Sequence, residues 1–157
     1  MQQRMKEFTM TKEAIDAFLS KAQVGRISTI NVDGYPYTVA VHFVYRDGKI
    51  YFHGLPKGQK LNNISRCPKV CFEADEMTGL LLDKLDTPCK ADTEYESVVI
   101  MGTAGIVADL HKKHRILKDI IRKYAPRLLD EEIPENMVKG TTVVEIIIEN
   151  TTGKYHR

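Results

Sequence analysis

Tryptophan is absent from the 157 residues, and cysteine is scarce: Cys67, Cys71 and Cys89 are the three present. Their number is odd and they form no CxxC pair, which excludes a disulfide scaffold and argues against structural zinc. A reducing cytoplasm is the compartment this usage predicts. No apolar run approaches the ~20 residues of a membrane span. The opening "MQQRMKEFTM" lacks the apolar core of a secretory leader. Neither charge sign dominates, with 23 Lys+Arg against 21 Asp+Glu and a net charge of +2, so no global field calls for nucleic acid or anionic lipid. Internal repeats, low-complexity tracts and long linkers are also missing, and residues 1–157 read as a single domain. What is present is 43% hydrophobic and 28% charged, enough apolar material for a globular core.

The segment "TKEAIDAFLSKA" predicts a helix over 11–22, capped by Thr11, with Ile15, Phe18, Leu19 and Ala22 on one face. Two Asp-Gly pairs, Asp33-Gly34 and Asp47-Gly48, separate β-branched runs and predict hairpins whose turn residues have positive φ. The first three strands, starting near 24, 36 and 49, are thus expected to form an antiparallel meander. Tyr37, Val39, Val41, Phe43 and Tyr45 alternate with Thr38, Ala40, His42 and Val44, and neither face is strongly polar, which suggests a strand covered on both sides. A short helix over 58–65 follows, then strands from near 69, 95 and 141, with 76–93 expected to be irregular and Gly102 and Gly105 inviting a bulge. A helix over 110–124 carries Leu110, Leu117, Ile120, Ile121 and Tyr124 on its core face. Its many lysines and arginines read as a solvated face rather than a nucleic-acid surface, since no aromatics are interleaved with them. The fold class is α+β, mainly β: about six antiparallel strands in a small barrel with flanking helices.

The stretch "IYFHGLPKGQKLNNI" sets Lys57 and Lys60 where a strand turns into a helix, a place that local electrostatics reserves for acids. Gly54 and Gly58 let a ligand approach the main chain, and helix-opening N–H groups favour phosphate. The P-loop pattern is not met, because three residues rather than four separate the glycines and Leu61 follows the lysine. Pattern alone leaves two readings open, a solvated turn and an anion site. His42 reads as a hydrogen-bonded barrel histidine, Cys71 as a core thiol, and Cys89 as a loop residue without chemistry.

Five segments in order, "VGRISTINVDGYPYTVAVHFVY", "GKIYFHGLPKGQKLNNI", "KVCFEAD", "PCKADTEYESVVIMGTA" and "VVEIIIENTTGK", resemble the flavin-binding split-barrel group of the pyridoxamine phosphate oxidase-like superfamily. Within it they are most similar to the nitroimidazole-resistance branch, and the resemblance spans roughly residues 8–154. It implies a flavin mononucleotide (FMN) cofactor, a homodimer with cofactor at the interface, and a small-molecule oxidoreductase whose possible activity is nitro-group reduction. Under that resemblance Lys60 meets the flavin phosphate, with Gly58 and Gln59 as further donors. Tyr37, Thr38 and Val39 line the ring, and Tyr51, Phe52 and His53 run past it. Ser97 reaches it from the other subunit. His53 is then the candidate catalytic residue, a proton relay near neutral pH; its plain reading is a strand-end histidine bonded to backbone. The basic and aromatic C-terminal segment of the pyridoxamine phosphate oxidase branch is not found in "TTGKYHR". No metal, nucleic-acid or membrane partner is expected. The reading from another class is a non-catalytic module that binds flavin, deazaflavin or haem.

Overall fold

Local turn chemistry makes two hairpins, and the rest of the sheet grows between them. The computed structural model describes residues 7–82 and 88–157. Strand β1 (Gly25–Ile30) pairs antiparallel with β2 (Pro36–Val41), and β3 (Phe43–Arg46) with β4 (Lys49–Gly54). Asp47 and Gly48 both have positive φ, 51° and 71°, as a two-residue hairpin demands. The first turn differs: Gly34 alone is positive at 86°. There the loop is longer, closed by Asn31 N–H to the Tyr35 carbonyl at 2.9 Å, and Asp33 accepts from the Tyr35 N–H through its side chain at 3.1 Å.

Seven strands form one sheet in the order β2-β1-β5-β6-β7-β4-β3, where β5 is Lys69–Leu81, β6 is Asp92–Ile106 and β7 is Thr142–His156. All the pairings are antiparallel. The strand expected to run unbroken from 36 is divided at His42 into β2 and β3, and these occupy opposite ends of the sheet order. One stretch of chain therefore pairs with β1 by its first half and with β4 by its second, which closes the sheet into a split barrel. The segment 76–93, expected to be irregular, holds strand at both ends: β5 continues through Leu81, with a register shift between Met77 and Gly79, and β6 starts at Asp92. A second register shift lies at Met101/Gly102, whereas Gly105 stays in register. A Cβ at Gly102 would come within 2.3 Å of the Ile147 carbonyl, so only glycine permits this approach. Residues 83–87, within the stretch expected to be irregular, and the Cys89 side chain lie outside the described residues.

Two cores share the sheet. Inside the barrel Ile27, Phe43, Ile50, Phe52, Phe72, Val98, Ile100 and Ile146 are fully buried. Helix α1 (Lys12–Lys21), whose cap Thr11 accepts from the Ala14 N–H at 3.2 Å, adds Phe18 and Leu19. Each such side chain contributes about 1.5–3 kcal/mol. Helix α2 (Gln59–Arg66) adds Leu61 and Ile64. Outside, α3 (Leu110–Tyr124) covers β4 and β7, with Ile116, Leu117 and Ile120 packed on Val44, Tyr51 and Val143. Its buried stripe includes Lys113, while Leu110, expected in the core, is 41% exposed. Helix α4 (Glu135–Gly140) was not expected; it follows Pro134 and carries a Glu135–Lys139 ion pair at 2.5 Å. Among the described residues no helix is long and apolar enough to cross a membrane.

Candidate functional site

Strand alternation decides what the "YFH" of β4 can do. Phe52 points into the barrel and is fully buried. Tyr51 points outward but lies beneath α3, 3% exposed, with its hydroxyl donating to Glu145 Oε2 at 2.7 Å. His53 shares the outward face of Tyr51 and is the most open of the three to solvent, with part of its ring still covered. Of the three, only His53 can present a side chain to a ligand; Tyr51 and Phe52 can offer main chain.

His42 is not the interior barrel histidine that the pattern predicts. It stands in the gap between β2 and β3, exposed, with its ring stacked on Tyr124 at 4.3 Å between centroids and 14° between planes. The Phe43–Phe52 pairing, continued by one residue, sets His42 across from His53. Partial burial, reinforced by His42 and Lys60, holds the His53 imidazole below the ordinary histidine pKa, so it is neutral at pH 7. An open cleft of about 330 Å³, lined by Val24, Ala40, Val41 and His42, adjoins the group.

Beyond Gly54 the chain turns into α2. Gly58 caps this helix with φ 147°, a conformation that side-chain-bearing residues rarely adopt. Its carbonyl accepts from the N–H groups of Leu61 and Asn62, both at 3.1 Å, and the N–H groups of Gln59 and Lys60 open the helix without intrahelical partners. Lys60 folds back over Gly54: a Cβ there would lie 3.6 Å from Nζ. Among the described residues Lys60 makes no ion pair. The result is a cation, two free N–H donors and a neutral imidazole at one strand-to-helix turn, a combination that can hold a phosphate and move a proton beside it.

A buried amide cluster fixes this turn and was not foreseen. Asn63, 2% exposed, donates to Thr29 Oγ1 and Asn31 Oδ1, both at 2.9 Å. Gln59 donates to Asn31 Oδ1 at 3.2 Å and to Asn63 Oδ1 at 2.9 Å. The side-chain donor of Gln59 is thus engaged, and its backbone N–H is what remains for an anion. No sequence signal marks this cluster, because its members come from β1, the first hairpin loop and α2.

The remaining candidates divide. Tyr37 and Val39 are half-buried on β2, and exposed Thr38 shares a 2.8 Å hydrogen bond with Ser28. Ser97 is elsewhere within the chain. It lines a cavity of about 220 Å³ with Met10, Ile15, Val99, Thr151 and Gly153, where α1 lies against β6 and β7. Cys71, expected in the core, is half-buried on the outer face of β5, between inward-pointing Val70 and Phe72; burial and Glu73 push its thiol pKa up.

The model of the family described as pyridoxamine 5'-phosphate oxidase matches residues 11–155. No curated protein matches the chain. Among solved structures, a proposed 5-nitroimidazole antibiotic resistance protein of Bacteroides thetaiotaomicron is similar at 23% identity, with 93% of this chain and 85% of that one covered and a TM-score of 0.78. The flavocytochrome Anf3 of Azotobacter vinelandii is similar at 16% identity, covering 99% of this chain and 72% of that one, with a TM-score of 0.84. An FAD and haem binding protein of Mycobacterium smegmatis is similar at 16% identity, covering 94% and 72%, with a TM-score of 0.83.

Proposed function

The chain belongs to the pyridoxamine 5'-phosphate oxidase family, and from that premise we propose that it is a single-domain FMN-binding oxidoreductase of a small molecule. The observation that carries this reading is Lys60, an unpaired ammonium folded over Gly54 at the opening of α2. In this reading Lys60 and the backbone N–H groups of Gln59 and Lys60 hold the flavin phosphate, and Gly58 keeps that approach clear. Tyr37, Thr38 and Val39 line the ring from β2, the Tyr51–Phe52 main chain runs along it, and His53 holds or releases a proton at its imidazole. The flavin supplies the electron chemistry when bound. The fold shared with the nitroimidazole-resistance protein favours a nitro group as the acceptor class. Cytoplasmic residence belongs to the same proposal, with the scarcity of cysteine as its support.

Titration of the apoprotein with FMN tests the phosphate site. A charge-assisted contact is worth about 1.5–3 kcal/mol, so Lys60→Ala should weaken FMN binding by at least about tenfold. Equal affinity in wild type and variant removes Lys60 from the site. Two similar structures are described as a flavocytochrome and an FAD and haem binding protein, which favours one second reading, a flavin- or haem-binding module without turnover. The absorption spectrum of the purified protein separates haem from flavin, since haem has an intense Soret band, and a steady-state assay with NADH or NADPH separates a flavoprotein that turns over from one that only binds.

Assembly as a homodimer also belongs to this reading. Ser97 lies on β6, away from the Lys60–His53 turn of its own chain, so it reaches a flavin only from a second copy. Light scattering of the FMN-loaded protein at micromolar concentration is expected to give twice the chain mass; a monomer contradicts the shared site.

A further inference from the structure

Lys123, in the last turn of α3, is a half-buried amine without a carboxylate partner among the described residues. Its Nζ donates to the Phe43 carbonyl at 3.1 Å and lies 4.2 Å from the centre of the Phe43 ring. Asp119, one turn earlier, is the partner that helical spacing would supply. That carboxylate is instead taken by Arg46 and Arg122. Asp16 is likewise occupied, by Lys12 and the Tyr45 hydroxyl. These side chains wall an open cleft of about 340 Å³ lined by Ser20, Tyr45, Arg46, Asp119, Arg122 and Lys123. Three cationic groups line it against the one carboxylate of Asp119, and Asp47, outside the lining, also pairs with Arg46 at 3.3 Å.

We propose that Lys123 is a nucleophilic amine that forms an imine with small anionic aldehydes drawn into this cleft by Arg46 and Arg122. The Nζ lone pair adds to the aldehyde carbon and a C–N bond forms. The amine protons pass to the aldehyde oxygen, which leaves as water, so the step needs no oxidant or reductant. Reaction requires the neutral amine. Burial without an ion pair lowers the Lys123 pKa to about 8. The other groups around it do not quench this. Arg46 and Arg122 disfavour a further positive charge, Asp119 is committed to them, and the Tyr45 phenol, pushed up to about 12 by burial and Asp16, stays neutral. Tyr124 is held un-ionised by burial, and its outer face is occupied by His42. When Lys123 reacts, the Phe43 carbonyl still has the Tyr124 hydroxyl at 2.8 Å, a donor it shares with the Gln23 carbonyl at the same distance. None of this depends on flavin binding.

The test uses the full chain, 4-carboxybenzaldehyde and cyanoborohydride at neutral pH, followed by proteolysis and mass spectrometry of the lysine peptides. Lys123 should be reductively alkylated at least about tenfold faster than exposed Lys57 and Lys154, an advantage that its larger neutral fraction supplies. The advantage should vanish in urea. Uncharged benzaldehyde should label Lys123 more slowly, and Arg122→Gln should erase the difference between the two aldehydes. Labelling of Lys123 no faster than Lys57 overturns the proposal, and so does equal labelling by both aldehydes in wild type. Because the readout is taken on the native sequence, it does not hinge on a variant that folds.

Discussion

Alanine at position 53 is expected to slow reoxidation of the bound, reduced flavin by a nitroaromatic acceptor about 10²-fold, within the range of general acid–base catalysis. His53 is the penultimate residue of β4, one before Gly54, and Lys60 reaches back to that same glycine. A flavin whose phosphate sits on Lys60 therefore cannot be far from the imidazole. Burial and the charges of His42 and Lys60 keep that imidazole neutral at pH 7, ready to accept a proton. FMN affinity should change by no more than about twofold, because the phosphate contacts remain. His53→Gln keeps a hydrogen-bonding side chain and should still lose most of the rate. Wild-type reoxidation rates in both variants would leave His53 a strand-end residue with no part in the chemistry.

Glu145→Ala is expected to cost about 3 kcal/mol at neutral pH and to lower Tm by roughly 6–12 °C. One oxygen of this carboxylate accepts from Tyr51 at 2.7 Å, Lys49 at 3.2 Å and Lys112 at 2.5 Å. Burial opposes its charge, but the hydrogen bonds from Lys112, Tyr51 and Lys49 outweigh that and bring its pKa down to about 2. Its side chain is 17% exposed, so solvent screening is limited. Alanine would leave two lysines facing each other and a buried phenol without its acceptor. A carboxylate with a depressed pKa stabilises the fold fully above its unfolded value and loses that contribution as pH falls through the folded one. The gap between wild type and variant should thus be complete above about pH 5 and shrink as the pH falls toward 2. Thermal melts across that range check it. An unchanged Tm at pH 7 would reduce the cluster to surface pairing. Tyr51, which loses its acceptor in the variant, lies two residues before His53 on β4, so the same melt reports on the support of the candidate site.

Local chemistry was legible in the residues themselves. Asp47-Gly48, the Thr11 cap and the α3 stripe through Leu117 and Ile120 were all readable because each acts within a few residues. Lys57 and Lys60 were legible as a pair at odds with the usual acidic helix start. What stayed hidden is long-range. His42 alternates correctly for a barrel interior on paper, but the strand breaks there and Tyr124, from a helix far along the chain, captures the ring. Asn63 carries no local signal, because Thr29 and Asn31, which surround it, lie more than thirty residues away in the chain. Residues 76–81 are poor in strand formers, yet the register with β6 holds them as strand through Leu81, since ladder pairing outweighs propensity.

The stretch 36–46 belongs to both ends of the sheet, and β4 and β6 both rely on β7 for a neighbour. This has a consequence for biosynthesis. The two hairpins can assemble within microseconds of emerging from the ribosome, because their partners are adjacent. Ring closure cannot, since Tyr51 waits for Glu145, which is 94 residues downstream. Until that last strand is translated, the nascent chain exposes two open strand edges and an uncovered apolar interior. It is in that interval that it is most dependent on chaperones and most prone to pair with its neighbours.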